Sequence, residues 1–316
     1  MRQHLRRCML LLFFFLAYAV ALSSQSAGAQ DEPAWLLVER AELSIERGEL
    51  GNAIRLLRRS IDRDSQNPLA HLLLGQAYAA TGVPGDLTIA LDYLDRALEL
   101  RSRFLAPGRA LLVRYEKAAI YWTQRDLARY EAELRAILAE SPIPDEILVP
   151  PNMVRGFADE GIDGMLVLYR VPIDGATRAR GMLAEFLVGL GQYAEAGEQA
   201  GIAVIQSLTA VIDGVRERDP LYQFRTVEDL LRKAAEYPES ARFVRETDLF
   251  HDIYYLAAAF YAGGNERAAF DLWALLATTP EANQRGLQSL GGTDWQTRSA
   301  VQLEDPATEP PLVPRR

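Results

Sequence analysis

Histidine is the side chain that acid–base and metal chemistry near neutral pH uses most. Beyond His4 the chain carries two, His71 and His251, and neither has another histidine or a cysteine near it in sequence. Metal sites need several such ligands together. His71 also falls among the packing positions of a helical stretch, so it reads as a half-buried structural side chain. No Gly-x-Ser-x-Gly elbow occurs, and the two lysines, Lys117 and Lys233, form no Ser-x-x-Lys pair. Glu116 and Arg232 precede those lysines where a phosphate loop needs glycine. Gly189-Leu-Gly191-Gln-Tyr-Ala194 fits a dinucleotide-binding string, but it follows a helical pattern where that site needs a strand. Glu185 with Glu195, or Asp159 with Asp163, could serve as the carboxylate pair of a glycoside hydrolase. Asp159, Glu160 and Asp163 could approach calcium, but the loop spacing and its final bidentate Glu are missing. With 43 acidic residues some close pairs are inevitable, and solvated helix faces account for them. The residues therefore predict no catalytic centre, no resident metal and no cofactor.

The elements that could position a site follow from composition. The chain has 316 residues, 49% hydrophobic and 24% charged, which is ample for a core and excludes a disordered chain. Its one cysteine, Cys8, excludes a disulfide scaffold. A formal charge of −9 argues against nucleic acid, which needs a basic face. Length alone allows roughly one to three domains.

The first residues read as a secretory signal. Arg2, His4, Arg6 and Arg7 are followed by an uncharged apolar run of 15 residues, Cys8 to Leu22, then by Ser23-Ser24-Gln25-Ser26 and Ala27-Gly28-Ala29. Cleavage is expected after Ala29. The rival, a retained anchor, needs about 20 apolar residues. Cys8 precedes the apolar run and so is not a lipoprotein cysteine. Removing Arg2, Arg6 and Arg7 takes the charge from −9 to −12, and removing Cys8 leaves a chain without thiols. No other segment approaches the length of a membrane span, so the expected product is soluble in the periplasm or cell envelope.

The chain also repeats. Gly48 and Gly82 stand 34 residues apart, and each unit reads as two amphipathic helices with a turn between them. Leu74, Gly75, Tyr78, Ala90, Leu94 and Ala97 set the pattern, with Gly82-Val83-Pro84 lengthening the turn. Leu183, Ala184, Leu187, Gly191, Ala196, Ala200 and Ala203 repeat it, as do Leu256, Ala257, Phe260, Gly264, Ala269, Trp273 and Leu276. Weaker copies are Ala118, Tyr121, Arg125, Tyr130, Leu134, Ile137 and Pro142, and a first unit from Trp35 with Ala41 and Ser44 in place of Gly and Tyr. Small residues at the crossing let two helix backbones approach, and the aromatic fills the groove beside them. One pair cannot bury its apolar faces alone, so such units stack.

This pattern resembles the tetratricopeptide repeat (TPR) family. The resemblance implies an all-α fold, a TPR-like α-solenoid in which helix pairs form a right-handed superhelix, with repeats near 34–67, 68–101, 111–144, 177–210 and 250–282. The expected layout is a signal peptide (1–29), N-terminal repeats (30–144), a proline-rich insertion or degenerate repeat (145–176), C-terminal repeats (177–282) and a tail (283–316) disordered at its end. Pro142, Pro144, Pro150 and Pro151 bar a continuous helix, and Met165 to Val171 is ambiguous between helix and strand. Residues 211–248 read as mostly helical, with Thr226 an N-cap and a restart near Pro238.

In this family the first helix of each pair lines a concave groove, so the resemblance also implies partner-facing positions. They are Trp35, Val38, Glu42 and Ile45; Leu69, Leu72, Gln76 and Ala79; Leu112, Tyr115, Ala119 and Trp122; Arg178, Gly181, Glu185 and Val188; and His251, Tyr254, Ala258 and Tyr261. One Arg and no Lys or Asn among them argues against a carboxylate clamp. The expectation is a non-catalytic scaffold or adaptor that binds a protein or peptide through an apolar, aromatic groove, with the acidic balance favouring basic partners. The alternative is an accessory carrier of a small apolar ligand, working beside a solute transporter.

Overall fold

The structure is a computed structural model that describes residues 32–141, 153–277, 290 and 293–309. The expected signal segment and Pro142, Pro144, Pro150 and Pro151 lie outside them. The described residues form fourteen α-helices and no strand. They divide into two compact units, up to Ile120 and from Tyr121 onward.

The first unit contains α1 (Ala34–Glu46), α2 (Leu50–Arg63), α3 (Pro68–Ala79), α4 (Pro84–Glu99) and most of α5 (Gly108–Thr123). Helix α3 starts sharply because the Asn67 side chain accepts the amides of Leu69 and Ala70, and Pro68 brings the φ that a first turn needs. Successive helices pack in order, α1 on α2, α2 on α3 and α3 on α4, with α1 also touching α3. The crossing of α3 and α4 has the expected form. A Cβ on Gly75 would lie 2.7 Å from Leu94 Cγ and 3.1 Å from the Ala90 carbonyl oxygen, so only hydrogen fits there. Tyr78 fills the space alongside, stacked on Tyr93 with centroids 5.9 Å apart. Leu37, Leu57, Leu72, Leu74 and Leu94 are fully buried around this contact. Each such side chain contributes about 1.5–3 kcal/mol.

The turn between the helices of a pair recurs in one geometry. Gly48, Gly191 and Gly264 take left-handed φ values of 74°, 78° and 84°. The residue after each donates its amide to the carbonyl five positions back: Glu49 to Ser44, Gln192 to Leu187 and Asn265 to Phe260. The third pair makes the same turn with a residue that carries a Cβ. Arg125 sits at φ 59°, and Asp126 donates to Tyr121.

The second unit holds α6 (Leu127–Ala139), α7 (Met153–Leu168), α8 (Thr177–Leu190), α9 (Tyr193–Arg218), α10 (Val227–Ala235), α11 (Pro238–Glu246), α12 (Leu249–Ala262), α13 (Glu266–Ala277) and α14 (Thr293–Glu304). The pairs α8–α9 and α12–α13 lie directly against each other, through α8 on α12 and α9 on α12. Helices α10 and α11 pack on α9 and on each other. Helix α9 runs 26 residues and carries buried side chains along most of its length, from Ala196 to Val215. Thr226 caps α10 by accepting the Asp229 amide, as its sequence position predicts.

The segment before α8 is helical through Leu168, with a kink at Gly161. This resolves the ambiguous Met165–Val171 stretch as helix and then coil. Helix α7 rests on α9 and α13, where Gly201 leaves room for Met153 and Phe157, each 3.0 Å from the position a Cβ would take. Gln206, fully buried on α9, pins the following coil by donating to the Pro172 carbonyl at 2.9 Å and accepting from Thr177 at 3.1 Å. Within the expected tail, residues 293–304 form a helix, α14, followed by irregular chain to Glu309, and the end of the tail lies outside the described residues.

Candidate functional site

The first helices of the pairs are built to carry a face. In the first unit they are tied to one another by polar side chains: Gln76 donates to Glu116 at 2.8 Å, and Arg109 lies 3.8 Å from Glu42. Trp35 is 60% exposed and Leu112 39% exposed, large apolar groups left in solvent on the same series of helices. Tyr115 and Gln76 are half-buried. Val38 and Leu72 do not belong to this surface. Both are buried: Val38 of α1 joins the hydrophobic core, and α3 is enclosed almost all round, with Leu72, Leu73 and Leu74 all buried. His71 is buried as well, its Nε2 3.0 Å from the Ser65 carbonyl oxygen and its ring 6.0 Å from Tyr93.

In the second unit Trp122 packs on Tyr130 with centroids 5.0 Å apart, and the Arg125 guanidinium lies 5.7 Å from its ring. The inner faces of α8 and α12 then meet through a charged cluster that the linear sequence hides. Arg178 pairs with Asp248 at 3.3 Å. His251 Nδ1 lies 2.9 Å from Asp252, and its Nε2 lies 3.1 Å from Glu185, 66 residues away. Tyr255 donates to the other oxygen of Glu185 at 2.9 Å. Gly181 makes this packing feasible, since a Cβ there would stand 2.0 Å from Asp252 Oδ1. Trp295 of α14 closes the cluster edge-on to the imidazole at 5.3 Å.

Its electrostatics follow from burial set against partners. Burial opposes a charge on His251, but the hydrogen bonds to Asp252 and Glu185 outweigh it and push the imidazole up to about 9. Burial raises Asp252, only 2% exposed, to about 6 in spite of its bond to His251. Burial also pushes Glu185 up, but bonds from His251 and Tyr255 more than reverse this and hold it below the usual carboxylate range. At neutral pH His251 is thus an imidazolium donating from both nitrogens, with no lone pair to act as a base.

The carboxylates considered for hydrolysis and calcium are engaged elsewhere. Glu195 holds Arg135 at 2.7 Å while Glu185 faces His251. Asp159 pairs with Arg155 at 3.2 Å, and Asp163 accepts the Val227 amide at 2.7 Å. Among the described residues no group of three or more His, Cys, Asp or Glu is placed to hold a metal. A cleft of about 360 Å³ opens between α9, α11 and the coil at Pro172–Ile173, but Asp213, Glu217 and the Arg218–Glu239 ion pair rim it, which suits no purely apolar ligand.

Tyr254 and Tyr261, both predicted groove positions, have a different occupant. The chain's own segment after α14 lies on them. Tyr254, 2% exposed, donates its hydroxyl to Glu309, and Tyr261 donates to the Pro306 carbonyl at 3.2 Å. Burial, with the Glu309 contact, pushes the Tyr254 phenol up to about 12. Sequence reasoning missed α14. Its one cue was the spacing of Trp295, Arg298, Ser299 and Gln302, a single helical stripe in which only one residue is apolar.

No protein-family model matches the chain. An uncharacterized protein of Borreliella burgdorferi is 24% identical over 298 residues, spanning 85% of this chain and 91% of that protein. Among solved structures, the TPR domain of P58(IPK) is 14% identical, with 87% of this chain and 99% of that one covered and a TM-score of 0.29. The TPR-like character of the fold stands on its own packing: helix pairs stacked in order, glycine at a crossing, and the recurrent left-handed turn.

Proposed function

We propose that this chain is a non-catalytic scaffold of the periplasm or cell envelope that binds a protein or peptide through the inner faces of its helix pairs. The observation that supports it is the character of the first helices. They are cross-linked by Gln76–Glu116 and Glu42–Arg109 in one unit and by Glu185–His251 and Arg178–Asp248 in the other. The first unit keeps Trp35 and Leu112 exposed on that series. Exposed aromatic and aliphatic anchors framed by polar pairs are what a partner's side chains dock against. Export rests on the basic start, the apolar run from Cys8 to Leu22 and the small residues up to Ala29. Among the described residues no helix is long and apolar enough to cross a membrane.

Two measurements test this. Photo-crosslinking from position 35 in intact cells, compared with the outward position Arg55, should give adducts from position 35 alone. Equal adducts from both would remove the inner-face reading. Mass spectrometry of the cell-derived protein should find Gln30 as its first residue. A chain that keeps its first residues would remove the cleaved-export reading.

A further inference from the structure

The last described residues are held the way a peptide ligand is held. After α14 ends at Glu304 the chain turns at Asp305 and continues without regular secondary structure to Glu309. Four side chains read it. Tyr261 Oη donates to the Pro306 carbonyl at 3.2 Å. Gln302 Oε1 accepts the Ala307 amide at 2.9 Å, while its Nε2 donates to Tyr254 Oη at 3.2 Å. Tyr254 Oη in turn donates to the Glu309 carboxylate, and Arg298 Nη2 stands 3.5 Å from the same oxygen. The guanidinium of Arg298 also lies against two rings, 4.6 Å from the Tyr254 centroid and 4.9 Å from the Trp295 centroid. Two contacts go to backbone and two converge on one carboxylate. That division is what a sequence-selective site for an extended peptide needs, with main-chain bonds for affinity and one charged pocket for selection.

We propose that Tyr254 and Tyr261 of α12 with Arg298 and Gln302 of α14 form a peptide-binding site for a segment bearing a carboxylate three residues after a proline. The chain's own Pro306–Glu309 fills it as an internal competitor. This deepens the scaffold reading and rests on it for the biological occupant. It also departs from the expectation of basic partners, because the charge that faces the ligand here is Arg298 rather than the acidic balance of the whole chain. A partner segment of the same chemistry displaces the internal one, whose tether gives it a high effective concentration.

The test uses the full chain and a fluorescent, blocked peptide of the sequence Glu-Asp-Pro-Ala-Thr-Glu-Pro. Glu309→Lys sets a cation against Arg298 and expels the internal segment. The peptide should bind E309K at least tenfold more tightly than it binds the wild type. Replacing its second Glu by Gln should weaken binding to E309K about tenfold or more, the effect of losing a charged hydrogen-bond acceptor. Arg298→Gln in the E309K chain should do the same. Should E309K lose its helical circular dichroism, E309Q takes its place, and the Glu–Gln peptide comparison then needs only that one folded protein. Equal affinity for the Glu and Gln peptides, equal affinity of wild type and released chain, or no binding to a folded released chain would each overturn the proposal. So would a wild-type dimer that the peptide dissociates, which would assign the site to a second copy's tail. The titration reads α12 and α14 alone, whereas the crosslinking above reads position 35, so either can fail while the other stands.

Discussion

Raising the pH from 6.5 to 9.5 should strip stability from the second unit through one side chain. In the folded chain the bonds to Asp252 and Glu185, outweighing burial, push His251 from its ordinary 6.5 to about 9. Across that interval the folded chain keeps a proton that the unfolded chain has released. The stabilisation is therefore whole below about pH 6.5 and is lost as pH climbs through 9. At about 1.4 kcal/mol per pH unit the loss comes to about 3 kcal/mol. Asp252 acts in a lower window. Its folded value of about 6, against an ordinary 3.8, means that ionising it in place costs stability between about pH 4 and 6. Glu185, held below its usual range, works the other way, and its contribution is lost only as the solution turns acid. Asp248 and Arg298 also face the cluster. The measurement is urea unfolding followed by circular dichroism at several pH values, for the wild type and for His251→Gln. Subtracting one profile from the other removes the groups outside the cluster, whose surroundings the two proteins share. The wild type should lose about 3 kcal/mol more than the variant between pH 6.5 and 9.5. Parallel profiles, or an imidazole proton resonance that titrates near 6.5, would refute the reasoning.

Other substitutions test the packing and the turns. Gly75→Ala should destabilise by about 1–3 kcal/mol, because its methyl meets Leu94 and the Ala90 backbone. The same change at Gly85, with nothing within 4 Å, should be neutral or stabilise by up to about 1 kcal/mol, so a urea midpoint that moves the same way in both would contradict the crossing. Arg125→Gly should be more stable than Arg125→Ala by about 1 kcal/mol, since both lose the guanidinium over Trp122 and only glycine relaxes φ 59°; equal melting temperatures would remove the strain. Thr226→Ala should cost about 1 kcal/mol of unfolding free energy through the lost bond to the Asp229 amide, and a Thr226→Ser variant should recover most of it.

What was legible in the sequence was what repeats. Gly48, Gly191 and Gly264 mark left-handed turns because the same backbone problem recurs at each, and Gly75 with Ala90 and Leu94 mark a crossing because only small groups fit there. Helix caps such as Thr226 were legible for the same local reason. Long-range pairing was not. His251 looked isolated because its neighbours in the chain include no second ligand, while its partner Glu185 lies on the first helix of an earlier pair, at another inner-face position. Both residues stood on the inner-face positions that the resemblance supplied, so register held the cue that linear proximity lacked. Val38, Leu72 and Tyr254 stood on them too, but are buried, because a position rule says which way a side chain points and not what later packs on top of it. Helix α14 was hidden by a polar composition that becomes intelligible only against Tyr254 and His251.

Helix α9 has a consequence for how such a protein can change. Its neighbours in the stack meet each other directly, although residues 219–248 are threaded between them. The helices within them, α10 and α11, pack mainly on the far stretch of one overlong helix, like a sidecar on an axle. Growth, trimming or exchange of that hairpin can alter the flank of the molecule while the row of inner helices keeps its spacing. The architecture thus separates a part free to diversify from a part that must stay in step.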